Sequence, residues 1–156
     1  MERQVIRISV RNLVEFILRS GDIDNRIASV DKDAMQMGAK IHRKIQRQMG
    51  AAYHAEVTLK HVIECEDFDI LVEGRADGVM EADDGVFIDE IKGVLKDLSL
   101  LEHPVPVHLA QAKCYAYIYA EQCGLREIGV RMTYCNLETE ETKYFHEVYA
   151  FFEVRS

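Results

Sequence analysis

The sequence predicts an α/β fold with a mixed central sheet flanked by helices, and three observations carry that expectation. Alternating apolar and polar residues, bounded by acidic or glycine turns, recur at 54–63, 68–79, 86–92, 127–136 and 143–153 and read as strands. Helical start and stop signals bracket 10–19, 32–49 and 106–122. The resulting order, α-α-β-β-β-α-β-β, places three consecutive strands before a crossover helix and two more strands after it. At 156 residues the chain is one domain by length, with enough residues for a real core.

Taken in order, Ser9 is placed to cap the first helix, with Leu13, Phe16 and Ile17 on its buried side and Gly21-Asp22 ending it. The second helix closes at Gly50. Its apolar stripe reads Met35, Gly38, Ile45 and Met49, and Gly38 would let the helix approach the sheet closely. A separate basic stripe on it comprises Lys40, Arg43, Lys44 and Arg47. Residues 54–92 should form three consecutive antiparallel strands, the last two joined by a turn at Asp83-Asp84-Gly85. A loop with Pro104 and Pro106 leads into the third helix, which Gly124 stops. A polar turn at 138–142 joins the final strand pair. There are no internal repeats and no low-complexity segments.

The net charge is −8, unevenly spread. Residues 1–50 carry ten Lys/Arg against six Asp/Glu, and residues 51–156 carry nine against twenty-one. The bland reading is an acidic surface with one basic helix. The functional reading is a small basic rim beside a carboxylate-rich centre whose charge bound cations would partly restore. Cys65, Cys114, Cys123 and Cys135 show neither CxxC nor disulfide spacing, which points to a reducing, cytoplasmic setting and away from zinc or an iron–sulfur cluster. No apolar run is long enough to span a membrane, and the charged N-terminus is no signal peptide.

The chemistry concentrates at Gly74-Arg75-Ala76-Asp77 and Phe87-Ile88-Asp89-Glu90-Ile91-Lys92-Gly93. Strand alternation puts Val86, Ile88, Glu90 and Lys92 on one face and Phe87, Asp89 and Ile91 on the other. Glu90 therefore lies beside Lys92, and Asp89 is the weaker candidate, with a milder effect expected from its loss. Asp77, Glu90 and Lys92 meeting at a hairpin suit metal-dependent phosphodiester cleavage: carboxylates hold a hard divalent cation, and a lysine orients the attacking water or offsets developing negative charge. The ordinary alternative is a hairpin with an incidental Glu–Lys pair. His42, within the apolar stripe of the second helix, is either a core histidine or an imidazole ligand for a manganese-like ion. His108, Gln111 and Tyr115, at i, i+3 and i+7, form a polar stripe on the third helix. They are either a half-exposed helical edge, or Gln111 and Tyr115 face the hairpin and contact phosphate or bases.

In order, the chain carries Gly38-x-x-x-His42, Gly74-x-x-Asp77, Glu90-Ile91-Lys92 and Gln111-x-x-x-Tyr115. This set resembles the RecB-like branch of the PD-(D/E)XK nuclease superfamily, over about residues 35–120, with the element order extending the match to about 136. The resemblance implies a restriction-endonuclease-like fold and a Mg2+- or Mn2+-dependent deoxyribonuclease of DNA repair or recombination, of exonuclease type. It implies metal ligation by His42, Asp77, Glu90 and the Ile91 carbonyl, catalysis by Asp77, Glu90 and Lys92, and substrate positioning by Gln111 and Tyr115. DNA would be the partner, with Arg43 and Arg47 as phosphate contacts and Tyr115 stacking on a base. Ala76 stands where the superfamily name has proline, and the cysteine spacing of cluster-bearing relatives is absent. The opening, Ile8 to Phe16, resembles nuclease domains that precede DinG/XPD-type helicases, so the chain is expected to be the N-terminal part of a longer protein. The alternatives are a catalytically inactive DNA-binding or interaction module of the same fold, and an acidic partner-binding domain with accidental motif matches.

Overall fold

The computed structural model describes residues 3–20 and 32–150, with backbone alone at 20 and 32–37. The elements are β1 (Gln4–Ser9), α1 (Val10–Ser20), α2 (Lys32–Gln48), β2 (Tyr53–Glu64), β3 (Phe68–Ala82), β4 (Gly85–Val94), α3 (Pro106–Cys123), β5 (Glu127–Asn136) and β6 (Thr142–Ala150), with a short 3-10 turn at Leu98–Leu100. The α/β class, the three helices and the five expected strands are all present. The last expected strand runs past Ala150 into 151–153, outside the described residues, as are Gly21-Asp22.

β1 is an addition to the expected order. It pairs parallel to β3, from Gln4↔Phe68 to Ser9↔Glu73. The Arg3 guanidinium holds its start by bonding the Asp69 carboxylate and the carbonyls of Cys65, Glu66 and Phe68. Ser9 does cap α1, its Oγ accepting the Asn12 amide at 3.0 Å. The buried side of α1 differs from expectation. Val10 and Val14 are buried, while Phe16 and Ile17 are 68% and 55% exposed. The helix docks through the Val10–Val14 row, one turn apart on a single face; Phe16 points away from that row, and Ile17, three residues after Val14 on the same side, stays exposed near the end of the helix.

β2, β3 and β4 form the expected antiparallel meander. β5 then joins β4 in parallel through the α3 crossover, and β6 pairs antiparallel to β5. The sheet is therefore mixed. α1 and α3 cover one face, packing Val10, Val14, Ala112, Ala116 and Ile118 against Leu59, Val72, Ile88 and Met132. α2 covers the other, where Ile41 and Ile45 meet Ile91, Cys135 and Leu137, with Met49 alongside. Ile41 thus belongs to the apolar stripe together with Ile45 and Met49. Gly38 has a different role from the one expected: a Cβ there would meet nothing within 4 Å, so no close helix–sheet contact depends on it. The side chain of Met35 lies outside the described residues. No helix among the described residues is long and apolar enough to cross a membrane, and all four cysteines are free thiols.

Candidate active site

The site grows from an interruption in the sheet. β2 runs along one edge of β3, from Asp69 to Met80. The opposite edge is shared. β1 takes Phe68–Glu73 and β4 takes Gly78–Ala82. Gly74-Arg75-Ala76-Asp77 therefore has no strand on that side, and side chains satisfy its backbone instead. The Asp77 amide donates to Glu90 Oε1 at 3.3 Å, and the Ile91 amide donates to Asp77 Oδ2 at 2.7 Å. The Tyr115 hydroxyl lies against Gly74 at the start of this stretch.

β3 also turns over at this point. Gly74 faces α3 and α1, where an added Cβ would sit 2.8 Å from Tyr115 Cε1 and 3.2 Å from Val10 Cγ2. Gly78, an even number of residues later, faces Tyr53, whose hydroxyl bonds to Asp89 on the α2 side of the sheet. In a regular strand the two glycines would share a face. Opposite the switch, Glu56 of β2 adopts φ 58°, a left-handed conformation that is uncommon outside glycine. Asp77 thus lies where both layers can reach it. His42 approaches from α2, its Nδ1 3.6 Å from Asp77 Oδ1. Glu90 and Lys92 approach from the α3 side, with Lys92 Nζ 3.7 Å from Glu90 Oε2.

Alternation along β4 holds as expected, so Glu90 and Lys92 share a face. Glu90 is 3% exposed. Burial, and then the neighbouring Asp77 carboxylate, push its pKa up to about 8, against the opposing pull of Lys92 and the Asp77 amide. A carboxyl raised in the folded state favours folding while it is protonated. The sign follows: in chelator, stability is greatest below the ordinary value of 4.5 and falls as pH rises toward about 8. Urea unfolding of the cation-free protein should show this decline, and Glu90→Gln should remove it. A flat wild-type profile between pH 5 and 8 would mean that Glu90 ionises normally.

Among the described residues, no three His, Cys, Asp or Glu side chains form a ready-made ligand cluster. The donors are adjoining pairs. Each carboxylate spends one oxygen on a backbone amide. Asp77 Oδ1 is left facing His42, and Glu90 Oε2 is left near Lys92. An extended residue directs its N–H and C=O to the same edge, so the Ile91 carbonyl opens on the gap that its amide faces. Two carboxylates, one carbonyl and one imidazole suit a hard divalent cation in donor type.

The structure also draws the third helix into the site. Gln111 is buried and its Oε1 accepts Lys92 Nζ at 3.2 Å. Tyr115 is buried over Gly74. Its ring offers no open face for a base, so the stacking role expected for it is withdrawn. Lys40, Arg43, Lys44 and Arg47 are exposed on α2, and Lys44 pairs with Glu140 at 2.7 Å. Three further residues complete the surroundings: Gln46 and Glu56, which the sequence did not single out, and Asp89, whose bonding it did not foresee. Gln46, one turn after His42, donates to the Asp77 carbonyl at 2.9 Å and to Glu56 at 3.2 Å; its place on the His42 face was the available signal. Glu56 pairs with Arg75 at 3.0 Å. Asp89 is fully buried and bonded by Tyr53, by Arg131 through two nitrogens, and by Thr133. Its bonds tie it to the fold on the face away from Glu90, so its loss should act on stability, while the milder effect on the cation expected for it relative to Glu90 stays a prediction.

No protein-family model matches the chain, and no curated protein matches it. Among solved structures it is similar to the crystal structure of SSO0001, with 16% identity and a TM-score of 0.63 over 94% of this chain and 68% of that one. The likeness is one of fold: an α/β arrangement with a mixed sheet between helices.

Proposed function

We propose that this domain is a Mg2+- or Mn2+-dependent deoxyribonuclease with a PD-(D/E)XK-type core. One observation carries the reading: Asp77, Glu90 and Lys92, far from one another along the chain or on alternating positions, converge with His42 at the one stretch of β3 that lacks a strand partner on one edge. When bound, a divalent cation supplies Lewis acidity and an acidified water for phosphodiester hydrolysis. Asp77, Glu90, His42 and the Ile91 carbonyl would hold it. Lys92, steadied by Gln111, keeps a positive charge where negative charge develops on the phosphate. Tyr115 keeps the gap open by packing on Gly74.

The test is incubation with labelled single- and double-stranded DNA, with and without Mn2+. Cation-dependent cleavage supports the reading. Binding without cleavage would identify the inactive DNA-binding module, and neither would leave an interaction domain. Exposed cations on α2 offer a route for the phosphate backbone. Changing Arg43 and Arg47 to glutamine should weaken DNA binding and make its salt dependence shallower, by about one unit of slope for each phosphate no longer neutralised. An unchanged slope would put the DNA elsewhere.

A further inference from the structure

His108 has no role in the site as described, yet the fold fixes its ring. Tyr134 is fully buried. Its hydroxyl accepts the Val105 amide at 2.9 Å and meets His108 Nδ1 at 3.1 Å. A buried hydroxyl that already accepts one bond must find an acceptor for its own proton. Among the described residues that acceptor is His108 Nδ1. The imidazole is therefore neutral, with its proton on Nε2, the nitrogen on the far side of the ring from Tyr134. Burial, followed by the charges of Lys92 and Arg11, holds its pKa down to about 4, consistent with that state. Nε2–H has no partner among the described residues, and His108 remains half-exposed. It lies one helical turn before Gln111, the residue bonded to Lys92.

We infer that His108 is a further DNA-contacting residue, presenting Nε2–H to a phosphate oxygen on the side of the site flanked by Lys92 and Arg11. The inference rests on the nuclease reading above. A neutral donor here adds a directional bond beside two cations without adding a third repelling charge. The alternative role, serving Tyr134 alone, is structural and separable. An asparagine amide reaches the Nδ1 position and can still accept from Tyr134, whereas a glutamine amide reaches the Nε2 position and can still donate outward.

His108→Asn and His108→Gln are compared with wild type in steady-state cleavage with Mn2+. His108→Asn should raise KM roughly tenfold with kcat nearly kept, in line with losing a hydrogen bond to a charged group. His108→Gln should restore most of the difference. Wild-type KM in His108→Asn, or equal losses in both variants, would overturn the inference while leaving the nuclease reading intact. Imidazole NMR of the wild type separates the two further. Adding a thymidine decanucleotide in EDTA should shift the His108 Nε2–H resonance whether or not the protein cleaves, and an unmoved resonance would overturn the contact.

Discussion

Lys92→Ala is expected to cut cleavage by about 10²–10³-fold, the usual consequence of removing one preorganised charge from a charged transition state. Its ammonium lies beside Glu90 Oε2 and is steadied by Gln111 Oε1, and in the proposed mechanism it serves as a charge and not as a ligand. Cation binding should therefore survive, with one qualification of sign. Lys92 opposes the upward push on Glu90, so removing it leaves Glu90 protonated to higher pH. Affinity should therefore be followed from about pH 8 upward until it levels off in both proteins, where loss of a proton no longer competes with the metal. Calorimetry showing Mn2+ binding near the wild-type level, with cleavage gone, is the expected pair of results. Near-normal cleavage would make the lysine incidental and remove the central residue of the mechanism.

Asp89→Ala should be among the most destabilising single changes in the domain. It would leave Arg131, whose side chain is 13% exposed, without its carboxylate, together with the Tyr53 and Thr133 hydroxyls. Orphaning a buried charge commonly costs about 3–5 kcal/mol, a large part of a typical domain's stability. Replacing both partners by apolar residues, as in Asp89→Leu with Arg131→Met, should recover much of the loss, because the penalty comes chiefly from the unpaired ion. Chemical denaturation of the single and double variants checks this. A single variant within about 1 kcal/mol of wild type would show that water reaches Arg131 readily. Glu90→Gln should do the reverse, leaving the fold stable and impairing cation binding, which separates two adjacent carboxylates on opposite faces of one strand.

Much of this architecture was legible because its signals are local. Turns at Asp83-Asp84 and Gly124, strand alternation in β4 and the Ser9 cap each depend on residues within one turn or hairpin. The pairing of Glu90 with Lys92 follows from a period of two, and the structure keeps it. The misreadings share a different cause. Asp89 reads only as the weaker candidate on the face opposite Glu90, and its structural role shows only when Arg131 and Thr133, 42 and 44 residues later, arrive to bond it. β1 is mostly exposed, and it becomes a strand only by pairing with β3, over sixty residues away. The face switch at Asp77 depends on Glu56 and on where β1 and β4 end. It lets a histidine on one side of the sheet and a glutamate on the other reach one aspartate.

The meander that carries Asp77, Glu90 and Lys92 also bears on how the chain folds. Its three strands are joined by very short turns, whereas β1 and α3 reach them only across long loops of chain. Short loops close first. The hydrated carboxylates would then meet in a hairpin while still in water, and α3 would dock over them afterwards. The desolvation of Glu90 would fall on that late step, on the native side of the folding barrier. Substitutions in the Asp83–Gly85 turn should then slow folding, while apolar truncations such as Ile118→Val should mainly speed unfolding. The opposite pattern in stopped-flow kinetics would mean that α3 nucleates the domain.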